Sequence, residues 1–255
     1  MAALLQQRGR SSTNQHDPRV LLHERRERLR PHAIAAARLA ATAGAESLAA
    51  SILTGDVVVA LAEAESSTAT VGGAVTGRFR VTDHGGADLL LAVGTDPSAG
   101  MAIVDAVAAT PEPSLDLLVP LGVVDLDGAT ATASVQDSSS LWLRATVLLA
   151  SQLAGNASAT AAQSVEYAKD REQFGKPIGS FQAVKHRCAD MAVLADAATS
   201  LSRYASLTVA DSRPDAAFHA QAAWTIAARA AVTNAQVNVQ NHGGIGFTWE
   251  HTAHR

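Results

Sequence analysis

The stretch Tyr167-Ala-Lys-Asp-Arg-Glu-Gln-Phe-Gly-Lys-Pro-Ile-Gly-Ser-Phe-Gln-Ala-Val-Lys-His186 decides how the second half of this chain is read. It interrupts an alanine- and leucine-rich run, Leu141 to Lys169, whose composition and length predict a long helix. The breaker is Gly175-Lys-Pro-Ile-Gly179, because proline cannot continue a helix interior and glycine disfavours it. Beyond it the helical pattern resumes from Phe181 to about Asp211, with Val184, Cys188, Met191 and Ala195 on one face. Ser212-Arg-Pro-Asp215 is a second break, and Pro214 suits the start of a further helix, Asp215 to Asn241. Gly243-Gly-Ile-Gly246 ends it, where glycine is expected past a helix C-terminus. Long helices joined by short loops predict an antiparallel bundle from Ser138 onward.

Upstream of Ser138 the pattern changes from helical to extended. Strand candidates are Asp56–Leu61, Ala69–Val71 ahead of Gly72-Gly73, Gly77–Thr82 with period-two alternation, Ala87–Val93, Met101–Val107, Leu115–Leu121 and Ala129–Ala133. Short strands punctuated by Gly, Asp and Pro predict an antiparallel sheet or a small barrel. No full-length helices alternate with them, which argues against a doubly wound parallel sheet. An alanine-rich helix is expected ahead of this region, from about His32 to Leu53, after an interruption at Pro31. The fold class read from the pattern is α+β, an antiparallel β domain followed by an antiparallel helical bundle. The expected division is residues 1–54, 55–137 and 138–255.

Composition narrows the function. The chain has 255 residues, a formal net charge of −4, 47% hydrophobic residues and only 4% aromatics. Its core must therefore be built from closely approaching alanines and aliphatics more than from large rings. One cysteine excludes a disulfide framework and a cysteine-cluster metal site. A mildly acidic balance argues against nucleic acid as a partner. No apolar run reaches the roughly 18–20 residues that span a bilayer, so no membrane partner and a cytoplasmic location are expected. Arg8, Arg10, Arg19, Arg25, Arg26, Arg28 and Arg30 crowd the start of the chain. A targeting peptide and a solvated basic helix both fit them, although no continuous apolar stretch supports a secretory signal.

Most catalytic signatures fail. There is no Gly-x-Ser-x-Gly elbow and no His-Glu-x-x-His, and Gly175-Lys176 lacks the preceding glycine of a P-loop. His251 and His254 beside Glu250 lack further ligands, so no metal site is expected. Cys188, on an apolar helix face, reads as a buried inert thiol. Glu166, Asp170, Glu172 and Asp190 read as helix surface charges. Two segments carry more. In 167–186 an Arg and a Gln stand with backbone N–H groups at a helix junction, which suits an anion such as a pyrophosphate as well as it suits a simple cap and turn. In Gln240-Asn-His-Gly-Gly-Ile-Gly-Phe-Thr-Trp-Glu-His251 adjacent glycines allow close approach of a ligand, or form an ordinary helix end.

Together the strings Arg-x-Gln-Phe-Gly-x-Pro-Ile-x-x-Phe-Gln and Gln-x-His-Gly-Gly-x-Gly-Phe, at this separation, resemble the C-terminal helical domain of acyl-CoA dehydrogenases. The resemblance runs from about Leu141 to His251. Residues 55–136 resemble the family's middle β domain more weakly, and 33–54 resemble the end of its N-terminal helical domain, a reduced version of that region. The resemblance implies FAD as cofactor, an acyl-CoA substrate and a role in lipid and fatty acid degradation. In such enzymes a carboxylate removes the α-proton while a hydride passes from the β-carbon to the flavin. Carried over by position, Arg171 and Gln173 match residues that hold the FAD pyrophosphate, typically that of a neighbouring subunit, with Phe174 packed against it. Phe181 and Gln182 match a second contact pair, and Gln240, Gly243 and Gly244 match the motif facing the adenosine portion. A homodimer, homotetramer or heterotetramer with a related subunit follows from such shared sites.

The chain also departs from the family pattern. The usual catalytic Glu stands well after the glycine motif, beyond Arg255. The alternative family position, early in the first bundle helix, falls at about Ala145-Thr146, with Leu143 and Arg144 before it; none is acidic. The catalytic residue is therefore unassigned; Glu250 reads as a helix-start carboxylate rather than as a replacement base. The flavin-side motif Thr-Glu-Pro-x-x-Gly-Ser is replaced by Ala62-Glu-Ala-Glu-Ser-Ser-Thr68. The length reads as a short version of a three-domain protein. Three functions follow: an FAD-dependent acyl-CoA dehydrogenase, a non-catalytic FAD-contacting subunit of a heteromeric one, or an inactive truncated remnant.

Overall fold

The computed structural model describes residues 31–114 and 119–254. Its contacts divide at Trp142 and Leu143 into two units. The Arg-rich start of the chain and most of Leu115–Leu121 lie outside the described residues.

The first unit opens with α1 (Pro31–Thr42) and α2 (Glu46–Thr54), which pack against each other. The alanine-rich run is thus two helices, not one. The chain reverses at Ala43-Gly44-Ala45, where the Ala45 N–H bonds back to the Ala40 carbonyl and Gly44 takes φ +80°. Helix propensity alone cannot place that break, because alanine favours continuing at every position.

The strands are β1 (Val59–Ala64), β2 (Ala74–Thr82), β3 (Leu89–Val93), β4 (Met101–Asp105), β5 (Thr110–Glu112), β6 (Leu121–Thr130) and β7 (Ala133–Val135). They form one open seven-stranded sheet in the order β5-β6-β2-β1-β3-β4-β7. The sheet is antiparallel except that β3 runs parallel to β1. Just before the two strands pair, Asp88 is bonded to Val58, the residue that precedes β1. There the Asp88 carboxylate accepts from the Val58 N–H at 2.8 Å, and the Asp88 N–H donates to the Val58 carbonyl at 2.8 Å. The longest strand, β6, runs through Gly122-Val-Val-Asp-Leu-Asp-Gly128, a stretch whose glycines and aspartates mark it as turn-like. In the sheet those aspartates lie on the exposed side, and Asp125 meets Arg78 at 3.2 Å. The expected strand Ala129–Ala133 is instead the end of β6, a turn and the start of β7.

β2 shows why the pattern is legible. Val75, Phe79 and Val81 are buried while Arg78 and Arg80 are exposed, as period two requires. Phe79 is fully buried among Ala60, Ala62, Leu90, Val104 and Val124. α1 lies against β1, β4 and β7.

The second unit is the bundle of α3 (Ser139–Asp170, which starts just before the division), α4 (Gln182–Ala210) and α5 (Ala216–His242). All three helices fall within two residues of the sequence expectation. Their shared core is alanine: Ala150, Ala154 and Ala157 on α3, Ala195, Ala198 and Ala205 on α4, and Ala220, Ala223, Ala227 and Ala230 on α5. The buried Asn234 interrupts it, its Nδ2 donating to the Ala157 carbonyl at 2.9 Å and the Met191 carbonyl at 3.0 Å. One side chain thus ties all three helices.

Candidate functional site

Between α3 and α4 the chain makes a small hairpin, β8 (Glu172–Gln173) paired with β9 (Lys176–Pro177). Its two turn residues, Phe174 and Gly175, have φ +55° and +75°, the conformation of a tight hairpin turn. Glycine adopts it without strain, whereas a left-handed phenylalanine costs about 1–2 kcal/mol. The turn places Phe174 at the tip, 93% exposed. Backbone bonds hold the base of the hairpin: Arg171 N–H to the Tyr167 carbonyl at 2.9 Å, and Ile178 N–H to the Arg171 carbonyl at 2.8 Å. A short turn, Ile178–Ser180, then lies on the end of α3, where Gly179 leaves no room for a β-carbon beside the Ala168 carbonyl.

The predicted residues of this first segment are brought together. The Phe174 and Phe181 rings meet edge to face at 6.1 Å, with Lys176 Nζ 4.5 Å from the Phe181 ring centre. Arg171, Gln173 and Gln182 are exposed. Among the described residues the Arg171 side chain enters no ion pair, while Gln173 bonds only the neighbouring Glu172 carbonyl. Gln182 opens α4, where the first N–H groups have no intrahelical acceptor, and its amide meets His186 Nε2 at 3.0 Å. An uncommitted guanidinium, side-chain amides, an exposed ring and a helix N-terminus form a donor set for a phosphate-bearing aromatic ligand. The chemistry of an FAD pyrophosphate fits these residues.

In the second segment Gln240 is exposed on the last turn of α5, and Gly243–Phe247 forms a 3-10 turn. The glycines differ in their reasons. Gly243 takes φ +63° to end the helix, and Gly246 is required sterically, since a β-carbon there would sit 2.5 Å from the Val239 carbonyl oxygen. Among the described residues outside its chain neighbours, Gly244 meets nothing within 4 Å of such an atom, so the space beside it is open to a ligand. Ile245, Phe247 and Trp249 stand exposed beside it.

Three features escape the sequence reading. Tyr167, at the edge of the first segment, stacks on His242 of the second at 4.1 Å, and His251 meets the same imidazole, tilted, at 4.5 Å. His242 is buried with Nδ1 2.8 Å from the Asn238 carbonyl oxygen. Burial holds its pKa below the ordinary value, aided by the neighbouring His251, while the Asn238 bond opposes this. Secondly, the buried Asn234, Asn238 and Asn241 share the alanine face of α5 at spacings of four and three. That polar interruption of an apolar stripe was the signal available. Asn241 Nδ2 donates to Ser164 Oγ at 2.7 Å and lies 3.8 Å from Cys188 Sγ. Thirdly, Cys188 is only half-buried and lines a pocket with Val165, Ala168 and Val184, which corrects the expectation of a sealed thiol.

Glu166, Asp170, Glu172 and Asp190 are all exposed, and Glu166 pairs with Lys169 at 2.6 Å. Glu250 is exposed, and hydrogen bonds from its own backbone N–H and from the Thr248 hydroxyl hold its carboxyl below the usual range. That favours the anion but gives none of the upward shift of a base tuned near neutrality. Among the described residues no three His, Cys, Asp or Glu converge as a metal site, and no helix is long and apolar enough to cross a membrane.

A strand-rich unit, and a helical bundle bearing both motifs at one end, define an acyl-CoA dehydrogenase-like fold. Residues 143–255 match the family model for the acyl-CoA dehydrogenase C-terminal domain. Acyl-CoA dehydrogenase FadE34 of Mycobacterium tuberculosis is 39% identical over 197 residues, 75% of this chain and 27% of that protein. Acyl-CoA dehydrogenase IpdE2 of Mycolicibacterium smegmatis is 38% identical over 147 residues, 58% of this chain and 44% of that protein. Among solved structures, the ChsE4-ChsE5 complex from Mycobacterium tuberculosis superposes with a TM-score of 0.75 at 28% identity, over 87% of this chain and 66% of that one. Residues 143–255 are thus similar to the C-terminal domain of acyl-CoA dehydrogenases, and the chain spans less than half the length of these curated relatives.

Proposed function

We propose that this chain is a subunit of an FAD-dependent acyl-CoA dehydrogenase, acting on the α,β bond of an acyl-CoA thioester, and that its hairpin completes the flavin site of a neighbouring subunit. The observation that carries this is the hairpin itself, with Arg171 in no ion pair among the described residues and Phe174 turned fully outward. Arg171 and Gln173 would take the pyrophosphate, Phe174, Phe181 and Gln182 its flank, and Gln240, Gly243 and Gly244 the adenosine portion. When bound, the flavin supplies the hydride acceptor for the substrate β-carbon. The chain's own residues bind and orient it. A homodimer, homotetramer or heterotetramer provides the neighbour, in the cytoplasm, and the proposed division remains residues 1–54, 55–137 and 138–255.

A second reading, a non-catalytic flavin-contacting subunit paired with a related chain, is favoured by Ala145 and Thr146 at the early base position and by the lowered carboxyl of Glu250. Flavin absorbance of the purified chain, followed by acyl-CoA addition, separates the two. Bleaching of the chain alone supports the first reading; bleaching only after a related chain is added supports the second. Arg171→Ala is expected to weaken FAD retention about tenfold, the loss of one charge-assisted hydrogen-bonding group. Unchanged retention would remove the pyrophosphate assignment.

A further inference from the structure

The last turn of α5 is fixed on two sides. On one, Asn241 bonds Ser164 of α3, and Arg187 of α4 reaches the Asn241 Oδ1 at 3.5 Å. On the other, the Tyr167 ring stacks on His242 at 4.1 Å, His251 meets His242 tilted at 4.5 Å and Tyr167 edge-on at 6.4 Å, and the Tyr167 hydroxyl approaches the His242 carbonyl at 3.4 Å. The chain after His242 is held back onto the bundle through Gln163 of α3 and through His251. The Gln163 amide donates to Thr252 Oγ1 at 3.2 Å, the Ala253 N–H donates to His251 Nδ1 at 3.0 Å, and Ala253 is buried. The glycine turn lies between these two anchors.

We propose that Tyr167, His242 and His251 form a three-ring clasp that positions the Gly243–Phe247 turn and holds it only while His242 is uncharged. His242 is then a positioning residue for the turn, acting through its stack and not by touching a ligand. The role toward FAD rests on the function proposed above; the clasp does not.

The chemistry favours the neutral ring. A carbonyl only accepts, so His242 Nδ1 carries the proton in the bond to Asn238, and a second proton on Nε2 would place a cation inside a buried stack. The groups facing it offer no compensation. From α3 it meets the Tyr167 ring, and from the following segment it meets His251. Glu250 is exposed and engaged with Thr248. From α4, Arg187, also a cation, reaches the neighbouring Asn241. The sign follows from linkage. The released imidazole binds a proton near its ordinary value of 6.5 and the docked one binds it less well. Docking is therefore fully stable above that value and weakens as pH falls below it.

Hydrogen exchange of the full chain, corrected for intrinsic rates, reads the clasp as protection of residues 243–254. Protection is expected to fall several-fold from about pH 7.5 to about pH 5. His242→Phe keeps a stacking ring without a titrating nitrogen, so it should retain protection and flatten the pH profile. Tyr167→Leu should lose protection at both pH values. A His242→Phe chain that keeps the full pH-dependent loss, or a Tyr167→Leu chain as protected as the parent, overturns the proposal. Should His242→Phe fail to fold, NMR titration of His242 in the parent chain decides, and protonation without loss of protection overturns it. Flavin retention over the same pH range is the separate readout. The expected exchange pattern with no flavin bound at any pH, whether or not a related chain is added, sinks the cofactor reading and leaves the clasp standing.

Discussion

In the strand-rich unit the largest fully buried side chains include Phe79, Leu90, Leu91, Ile103 and several valines, set among alanines such as Ala60 and Ala62, whereas the α5 row of the bundle is Ala220, Ala223, Ala227 and Ala230. The polar groups are disposed in opposite ways. On the sheet they form an exposed lattice, with Glu65 bridging Arg78 and Arg80 at 3.1 and 3.0 Å and Asp125 on Arg78. In the bundle Asn234, Asn238 and Asn241 lie inside. The difference is geometric. A sheet face packs across about 10 Å and needs large side chains to fill the gap. Alanine lets helix axes approach toward the short end of the roughly 8–10 Å range, and the helices make contact through backbone and small polar groups. The sheet is thus sensitive to losing volume and the bundle to gaining it.

Three substitutions test that contrast. Phe79→Ala should cost about 3–5 kcal/mol in denaturant unfolding, because the sheet cannot collapse onto the space left; a cost under about 1.5 kcal/mol would show that the helices and sheet re-close, contrary to the contrast. Ala227→Leu should cost about 1–3 kcal/mol in the bundle by forcing the helices apart. If it proves neutral or stabilising in thermal unfolding, the bundle holds unfilled space and differs from the sheet only in composition. Arg78→Ala should cost about 0.2–1 kcal/mol, less in high salt, since its partners lie in solvent. A larger, salt-independent loss would mean that the lattice holds β2 to β6 as the hydrophobic face does.

The same contrast explains what was legible. Helices α3, α4 and α5 could be placed from sequence because alanine periodicity and the Gly175–Gly179 and Pro214 breaks agree. Phe79 and its neighbours on β2 were readable because the strand is half-exposed and alternates. β6 was not, since Gly122, Asp125, Asp127 and Gly128 carry local turn preferences that pairing with β2 overrides. The parallel β1–β3 pair depends on Asp88 reaching Val58, a contact thirty residues apart that no local window contains. At the site, Arg171, Phe174 and Gly244 could be named because the motifs carry them. His242 could not, because what matters in it is the company of Tyr167, seventy-five residues earlier.

Asn234 has a further consequence. An interface of near-identical alanines is almost degenerate under sliding: shift one helix by a turn and small meets small again. A bundle built that way has little to distinguish its native register from the neighbouring ones. A side chain whose Nδ2 donates to the Ala157 carbonyl on one helix and the Met191 carbonyl on another finds both acceptors in one alignment only. The information that selects a single bundle, and so sets where the hairpin and the glycine turn stand at its end, is concentrated in a few amide groups rather than spread through the core.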